Sequence, residues 1–380
     1  MLHSLVTTAS LPIYYPTFDK RKRLQMVQSL LGKIILSPLT AIYGLTIAVR
    51  NMLYDTELVR ATSFSLPVIS VGNLTVGGAG KTPHIEYLIR LLAPYVKVGT
   101  LSRGYKRNTS GFKWVQPRES VLENGDEPLM YARKYRDIVV AVAESRSIAI
   151  PKMVGKHPDL QTILLDDAFQ HRSITPGLNI LLTNYDLPFT KDYLLPSGRL
   201  REWRSAYSRA DIIVVTKCPT DITEADRERL IADIKPMHHQ QIFFSQYKYQ
   251  HPYSFYNPKQ RIQLDPNLDV ILISAIANTK YLLDYLHSVV GSVHHMDYED
   301  HHLFSDTDID YIKTVYQHRD TPRKIILTTE KDAMRLDLHR QALGEAKLPI
   351  FVLPAEVDFL FGQQPHFDHL MRDYLLNFKI

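Results

Sequence analysis

The chain has 380 residues, 45% hydrophobic and 22% charged, enough for two modest domains or one large domain with attachments. Its net charge of +5 suits an acidic ligand or an anionic membrane surface and is too small to argue for nucleic acid. A single cysteine, Cys218, excludes an internal disulfide and a cysteine metal cage, and fits a reducing cytoplasm.

Near the start, Lys20, Arg21, Lys22 and Arg23 precede an uncharged run, IILSPLTAIYGLTIAV (34–49). At about 1.5 Å per residue the run spans about 24 Å, short of a hydrocarbon core of about 30 Å. Pro38 and Gly44 weaken it further as a straight spanning helix. The charge layout permits a signal peptide, but no convincing small-x-small cleavage site follows. The run reads as a helix lying in the membrane surface, with Lys33 and Arg50 reaching towards head groups. A helix buried against the domain is the alternative.

Next come short apolar runs: LPVISVG (66–72), DIVVAVA (137–143), QTILLDD (161–167), LNILLTN (178–184) and DIIVVTK (211–217). They are apolar on both faces, as parallel strands covered by helices are, and helical segments separate them. The pattern predicts a doubly wound parallel α/β domain over 61–241, after a membrane-associated segment over 1–60. The aromatic, proline-broken stretch 242–264 reads as a two-stranded ribbon linker. VILISAIA (270–277), KIILTTE (324–330) and PIFVLP (349–354) then mark a second, smaller α/β lobe over 265–380. Two lobes joined by a ribbon leave a cleft.

The first strand runs into VGNLTVGGAGKTP, close to the phosphate loop G-x-x-x-x-G-K-[ST]. Thr75 stands where that loop has its first glycine, while Val76, Gly77, Gly78 and Ala79 lead to Gly80, Lys81 and Thr82. Strand-loop-helix context turns backbone N–H groups and a helix N-terminus towards a polyphosphate. Lys81 would reach the β- and γ-phosphates, and Thr82 would ligate Mg²⁺. Pro83 is tolerated in the first helical turn. The expected companion is an acid at a strand end, and LLDDAFQH supplies Asp166 and Asp167 as metal candidates. DIIVVTK looks like a guanine-reading strand end, but Pro219 stands where the aspartate belongs, so guanine selection is not supported.

Taken in order, VGNLTVGGAGKTP, LSRGYKR (101–107), GDEP (125–128), LLDDAFQH, LLPSGRLRE (194–202), EDHH (299–302) and TTEKDA (328–333) resemble the tetraacyldisaccharide 4'-kinases of Gram-negative bacteria. The resemblance implies ATP-dependent phosphorylation of an acylated glucosamine disaccharide phosphate in lipid A synthesis. It also implies a P-loop kinase fold, a membrane-associated N-terminal helix, and work at the cytoplasmic face of the inner membrane. Nucleic acid and an obligate protein partner are not implied. Asp126 of GDEP matches the family's catalytic aspartate, which takes the hydroxyl proton, and His301 of EDHH its dyad partner. Taken alone, Asp126 reads equally as a helix cap and His301 as a surface residue.

Other candidates follow from the same motifs. Glu127 would assist Mg²⁺ or complement a helix dipole. Arg146 would contact phosphate or sit solvated on a helix. Gln170 and His171 would shape the ATP site. Arg201 would stabilise transferring charge, and Glu202 would join the metal's surroundings, with a surface Arg-Glu pair as the alternative. A nucleotide-driven switch or metallochaperone shares the loop but gives no reason for GDEP and EDHH.

Overall fold

The computed structural model describes residues 30–378; the basic residues Lys20–Arg23 lie outside the described residues. Helix α1 (Leu30–Asp55) is followed by β1 (Val68–Asn73), α2 (Lys81–Leu92), β2 (Val98–Ser102) and the short β3 (Lys113–Trp114). Then come α3 (Asp126–Lys134), β4 (Val139–Val142), α4 (Arg146–Lys156), β5 (Thr162–Asp166), β6 (Leu178–Asn184) and β7 (Ile212–Thr216). Helix α5 (Glu224–Ile234), β8 (Gln241–Tyr249), β9 (Tyr253–Ser254) and β10 (Asp269–Ser274) continue the chain. The second lobe adds α6 (Lys280–Val289), β11 (Ser292–Asp297), α7 (Asp306–His318), β12 (Lys324–Thr329), α8 (Glu330–Leu336) and β13 (Ile350–Leu353). Last are β14 (Ala355–Phe359) and α9 (Gln364–Leu376).

The first sheet has nine strands in the order β14-β8-β7-β6-β1-β5-β2-β4-β3, parallel from β8 to β4 and antiparallel at both edges. β1, β5 and β7 are buried along their whole length because helices cover both faces of the sheet, which is why they read as unbroken apolar runs. β1 lies between β5 and β6, with Val71 beside both Asp166 and Ile180. The loop after β1 and the acids after β5 therefore emerge side by side at the carboxyl ends of the strands, where open α/β sheets bind ligands. The second sheet, β11-β10-β12-β13-β9, is parallel apart from the edge strand β9.

The joint between the lobes differs from the expected ribbon. Residues 242–264 split between the sheets, β8 belonging to the first and β9 to the second, and within the stretch Tyr253 forms a short antiparallel bridge with Arg261. The antiparallel partner of β8 is β14, with Tyr249 opposite Ala355 and Ser245 opposite Phe359. After β14 the chain returns to the first lobe, where Phe367 and Met371 of α9 share a core with Ile69 and Leu88. The second lobe is thus inserted between β8 and β14, and 355–376 pack with the first lobe instead of the second. Sequence alone does not show a strand whose partner lies a hundred residues away.

Helix α1 also departs from expectation. It is 26 residues long, about 39 Å at 1.5 Å per residue, so it is long and apolar enough to span. Pro38 lies inside it without breaking it. The proline cannot donate to the Ile34 carbonyl, and the Ser37 hydroxyl donates there instead at 2.7 Å. One face docks on the first lobe. The Tyr43 hydroxyl donates to the Arg201 carbonyl at 2.8 Å, the Thr40 and Ser197 hydroxyls lie 2.6 Å apart, and Trp203 Nε1 donates to the Gly44 carbonyl at 2.9 Å. A Cβ on Gly44 would lie 2.5 Å from the Trp203 ring, so glycine is required by this close approach. The opposite face, with Ile34, Ile35, Leu39, Ile42, Leu45, Val49 and Met52, is exposed. Arg50 does not point with that face, since its Nη2 donates to the Gln170 carbonyl at 2.7 Å.

Candidate active site

β1 ends at Asn73, and residues 74–80 carry the chain to α2. Val76 N–H donates to the Arg199 carbonyl at 2.8 Å, and Thr75 forms an antiparallel bridge with Leu200. An extended residue suits threonine, so the missing first glycine does not disturb the loop. Gly77 and Gly80 take φ of +104° and +88°, where L side chains are strained. A Cβ on Gly80 would also lie 2.7 Å from the Tyr247 hydroxyl. From the end of β7, Lys217 Nζ donates to the Gly78 carbonyl at 2.6 Å and the Thr216 hydroxyl to the Ala79 carbonyl at 2.9 Å. Both hold loop carbonyls, the groups that would repel phosphate. Lys81 Nζ lies 3.1 Å from Asn73 Oδ1 and 3.6 Å from Asp167 Oδ1.

The acids of β5 divide into two roles. Asp166 is buried, and its Oδ2 accepts from the Tyr131 hydroxyl at 2.9 Å while Oδ1 has no hydrogen-bond partner among the described residues. Burial, together with the charge of Glu127, pushes Asp166 up to about 7. The Thr82 hydroxyl donates to Glu127 Oε1 at 3.1 Å. Asp166, Glu127 and Thr82 line the same cleft, and an orphaned buried carboxylate oxygen with a second carboxylate and a hydroxyl offers hard oxygens that fit Mg²⁺. Asp167 adopts φ +52° and is gripped by Arg201, Nη1 to Oδ2 at 3.1 Å and Nη2 to Oδ1 at 2.8 Å. Burial raises this carboxyl, but the Lys81 and Arg201 charges prevail and hold it well below the usual range.

Opposite them, the two lobes meet through charged side chains. Asp126 opens α3 and is buried. His301 Nδ1 lies 2.9 Å from Asp126 Oδ2, the Glu127 N–H donates to Asp126 Oδ1 at 3.0 Å, and Arg335 Nη1 donates to Oδ2. Burial disfavours the Asp126 carboxylate, but Lys331, the His301 hydrogen bond and Arg335 hold it well below the usual range. Lys331 Nζ lies 3.0 Å from Glu127 Oε1 and 3.1 Å from His301 Nε2. A lysine ammonium donates only, so Nε2 accepts and Nδ1–H donates to Asp126. Burial opposes the Lys331 charge, but Glu127, Asp126 and Asp300 raise it above its ordinary value.

These groups face one cleft of about 780 Å³. Its walls include Tyr43, Ile47 and Arg50 of α1, the phosphate loop, His301 and Lys331. Residues 32–376 match the family profile of tetraacyldisaccharide-1-P 4'-kinase. The chain belongs to this family. It is 39% identical over 353 residues to the tetraacyldisaccharide 4'-kinase of Bacteroides thetaiotaomicron, covering 90% of this chain and 92% of that one. It is 40% identical over 345 residues to that of Flavobacterium johnsoniae, covering 90% and 96%. The crystal structure of "apo" form LpxK from Aquifex aeolicus in complex with ATP superposes with a TM-score of 0.68 at 28% identity, covering 90% of this chain and 99% of that one.

Within this kinase fold, residues 75–82, Glu127, Asp166, Asp167, Gln170, His171, Arg201, Glu202 and His301 all line the cleft. The expected metal set does not gather as one cage: among the described residues, no three His, Cys, Asp or Glu side chains cluster for a metal. Asp167 is paired with Arg201, and Glu202 Oε2 accepts from Arg209 at 2.9 Å and Asn51 at 3.3 Å, while Thr82 and Glu127 meet at 3.1 Å. Arg146 does not face the cleft. It is buried with Nη1 on the Ala143 carbonyl at 2.9 Å and Nη2 on the Asp166 carbonyl at 3.4 Å, so strand ends hold the guanidinium that was expected on phosphate. Gln170 Nε2 donates to the Asn73 carbonyl at 2.9 Å, and burial lowers His171 to about 4, keeping it neutral. His301 lines the cleft, and the buried Asp126 carboxylate meets it at 2.9 Å. Lys331 and Arg335 carry no sequence signal beyond membership of, or nearness to, TTEKDA.

Proposed function

We propose that the cleft moves the γ-phosphoryl group of ATP to the 4'-hydroxyl of a tetraacylated glucosamine disaccharide 1-phosphate, a step of lipid A synthesis. The loop N–H groups and Lys81 hold the β- and γ-phosphates. Thr82, Glu127 and Asp166 would hold Mg²⁺, which neutralises phosphate charge when bound. Asp126 takes the proton of the 4'-hydroxyl, with His301, paired to it at 2.9 Å, supporting its basicity and relaying the proton. The sugar oxygen bonds to the γ-phosphorus, the bond to the β–γ bridging oxygen breaks, and ADP leaves.

The observation that carries this reading is the Asp126–His301 pair, contributed by different lobes and opening onto the cleft that holds the phosphate loop. We place the enzyme at the cytoplasmic face of the inner membrane, where ATP and an acylated acceptor meet. The exposed apolar face of α1 supports this, since such a face suits burial in a membrane surface. Incubation with γ-labelled ATP and a lipid A precursor in vesicles tests the proposal. Label in the lipid is expected; acceptor-independent release of phosphate would instead identify a nucleotide-driven switch.

A further inference from the structure

The chain passes from the first lobe to the second after β8 and returns before β14. The placement of one lobe against the other therefore rests on side chains, and the facing helices α3 and α8 meet through charge. Arg335 reaches Asp126, Lys331 reaches Glu127 at 3.0 Å, and Arg133 reaches Asp337, just past α8, at 2.8 Å. A polar interface of this kind lets two lobes move apart unless something fastens it. Each of these contacts brings one cation to one carboxylate. The fourth does not.

At the end of α3, Lys134 Nζ lies 2.9 Å from Glu330 Oε2, across the joint, and 2.5 Å from Glu86 Oε1 of α2. The side chains of Glu86 and Glu330 are 2% and 9% exposed, against 28% for the lysine, so both acids have lost their water while sharing one ammonium. Lys134 stays charged: burial works against its charge, but both acids raise it above its ordinary value. The other partners of the acids are neutral. Tyr253 of β9 donates to Glu330 Oε1 at 3.4 Å, and Tyr135 donates to Glu86 Oε1 at 3.1 Å. Arg90 of α2 is engaged elsewhere, with the Tyr135 hydroxyl at 3.4 Å and Glu356 at 4.0 Å. On α8 itself, Asp332 is held by Arg335 and Lys331 turns to Glu127. With both acids ionised, one buried negative charge is left unmatched. A proton on Glu330 removes it. Burial and the Glu86 charge accordingly push Glu330 up to about 7, although Lys134 pulls the other way.

We propose that Glu86, Lys134 and Glu330 form a proton-operated latch between the lobes, shut when Glu330 is protonated and loosened when it is charged. This goes beyond the kinase reading and does not depend on it. The latch holds α8, whose Arg335 reaches the Asp126 carboxylate, so it also bears on how firmly Asp126 and His301 are kept together. With the lobes apart, Glu330 regains water and the ordinary glutamate value of about 4.3. Closing therefore takes up a proton between about pH 4.3 and about 7. It is most favoured below that range, weakens as pH rises through it, and levels off above it.

Spin labels at Lys156→Cys and Gln317→Cys, exposed sites on α4 and α7 in different lobes, report the interlobe distance with no substrate present. Cys218, the one native cysteine, is buried and stays unlabelled. From about pH 6 to about pH 8, the population at a second distance is expected to grow about 10-fold relative to the first. In Glu330→Gln, a neutral isostere of the protonated acid, the first distance is expected to dominate equally at both pH values. Glu86→Gln leaves one carboxylate for one lysine and is expected to flatten the response as well. Lys134→Met leaves the two carboxylates facing each other and is expected to favour the second distance more than the wild type does. Should Lys134→Met fail to fold, the glutamine variants decide alone. A wild-type distribution that ignores pH, or a pH response that survives in Glu330→Gln, overturns the latch. An unaltered response in Glu86→Gln overturns the sharing of one lysine by two acids, as does a wild-type distribution in Lys134→Met. Failure to label the lipid from ATP would sink the kinase reading and leave these distances untouched.

Discussion

Lys81 and Lys217 both serve the phosphate loop, but from different environments. Lys81 is free to swing from Asn73 and Asp167 to the γ-phosphate, so Lys81→Ala is expected to lower kcat by roughly a thousandfold with little change in melting temperature. Steady-state kinetics beside a thermal scan checks this. Lys217 is half-buried against the Gly78 carbonyl, and loss of solvent around its ammonium lowers it to about 8. The charged form, which attracts phosphate, is present below that value and is lost above it. ATP affinity is therefore expected to weaken as pH rises through about 8 and to be nearly flat across the same range in Lys217→Met, as calorimetric titration would show. For the dyad, Asp126→Ala and His301→Ala should each reduce kcat by about 100-fold or more, and the double variant should cost little beyond the worse single one. Multiplying effects would show two independent roles. The motifs named both residues, and the structure pairs them at 2.9 Å between the lobes. Arg335, a guanidinium more than two hundred residues beyond Asp126 that also binds its carboxylate, could not be read from them.

At the scale of elements, strands were more legible than helices or joints. LNILLTN coincides with β6 because its centre, Ile180 to Thr183, is buried between covered faces, even though Asn179 and Asn184 stand at its half-buried ends. Helix α1 was underestimated because charges at Lys33 and Arg50 seemed to bound it, whereas both side chains lie along the docked side and the helix continues past them to Asp55. Its membrane role is better tested by charge than by deletion, since removing it would also strip Trp203, Ser197 and Arg201 of their partners. Ile35→Lys with Ile42→Lys alters only the exposed face. The pair is expected to abolish flotation with anionic vesicles, each substitution forfeiting about 1.5–3 kcal/mol of apolar burial, while leaving the melting temperature within a degree or two. Unchanged flotation would move the docking surface elsewhere.

At the scale of the whole molecule, the alternation of strands and helices correctly announced two α/β lobes, yet it divided the chain in the wrong places. Pattern reading assigns a segment to whatever precedes it. The return of β14 and α9 to the first lobe is enforced by Val357, Phe359, Phe367 and Met371, which complete a core begun some three hundred residues earlier at Ile69. A fragment ending near residue 264 should therefore lack part of its core and fail to unfold cooperatively. The same topology offers a way to restore it. Tyr249 and Ala355 are opposite one another in an antiparallel pair, and the Gln250 N–H donates to the Pro354 carbonyl at 3.0 Å. An Asn-Gly turn joining Gln250 to Pro354 would convert β8 and β14 into a hairpin and excise the second lobe at its stem. This shortened chain is expected to melt in one transition and to gain about 2.7 kcal/mol of stability at an ATP concentration a hundred times its dissociation constant. It should transfer no phosphate, because His301 and Lys331 are gone. A chain that binds no ATP, or melts without cooperativity, would show that the inserted lobe is needed to fold the phosphate-binding one.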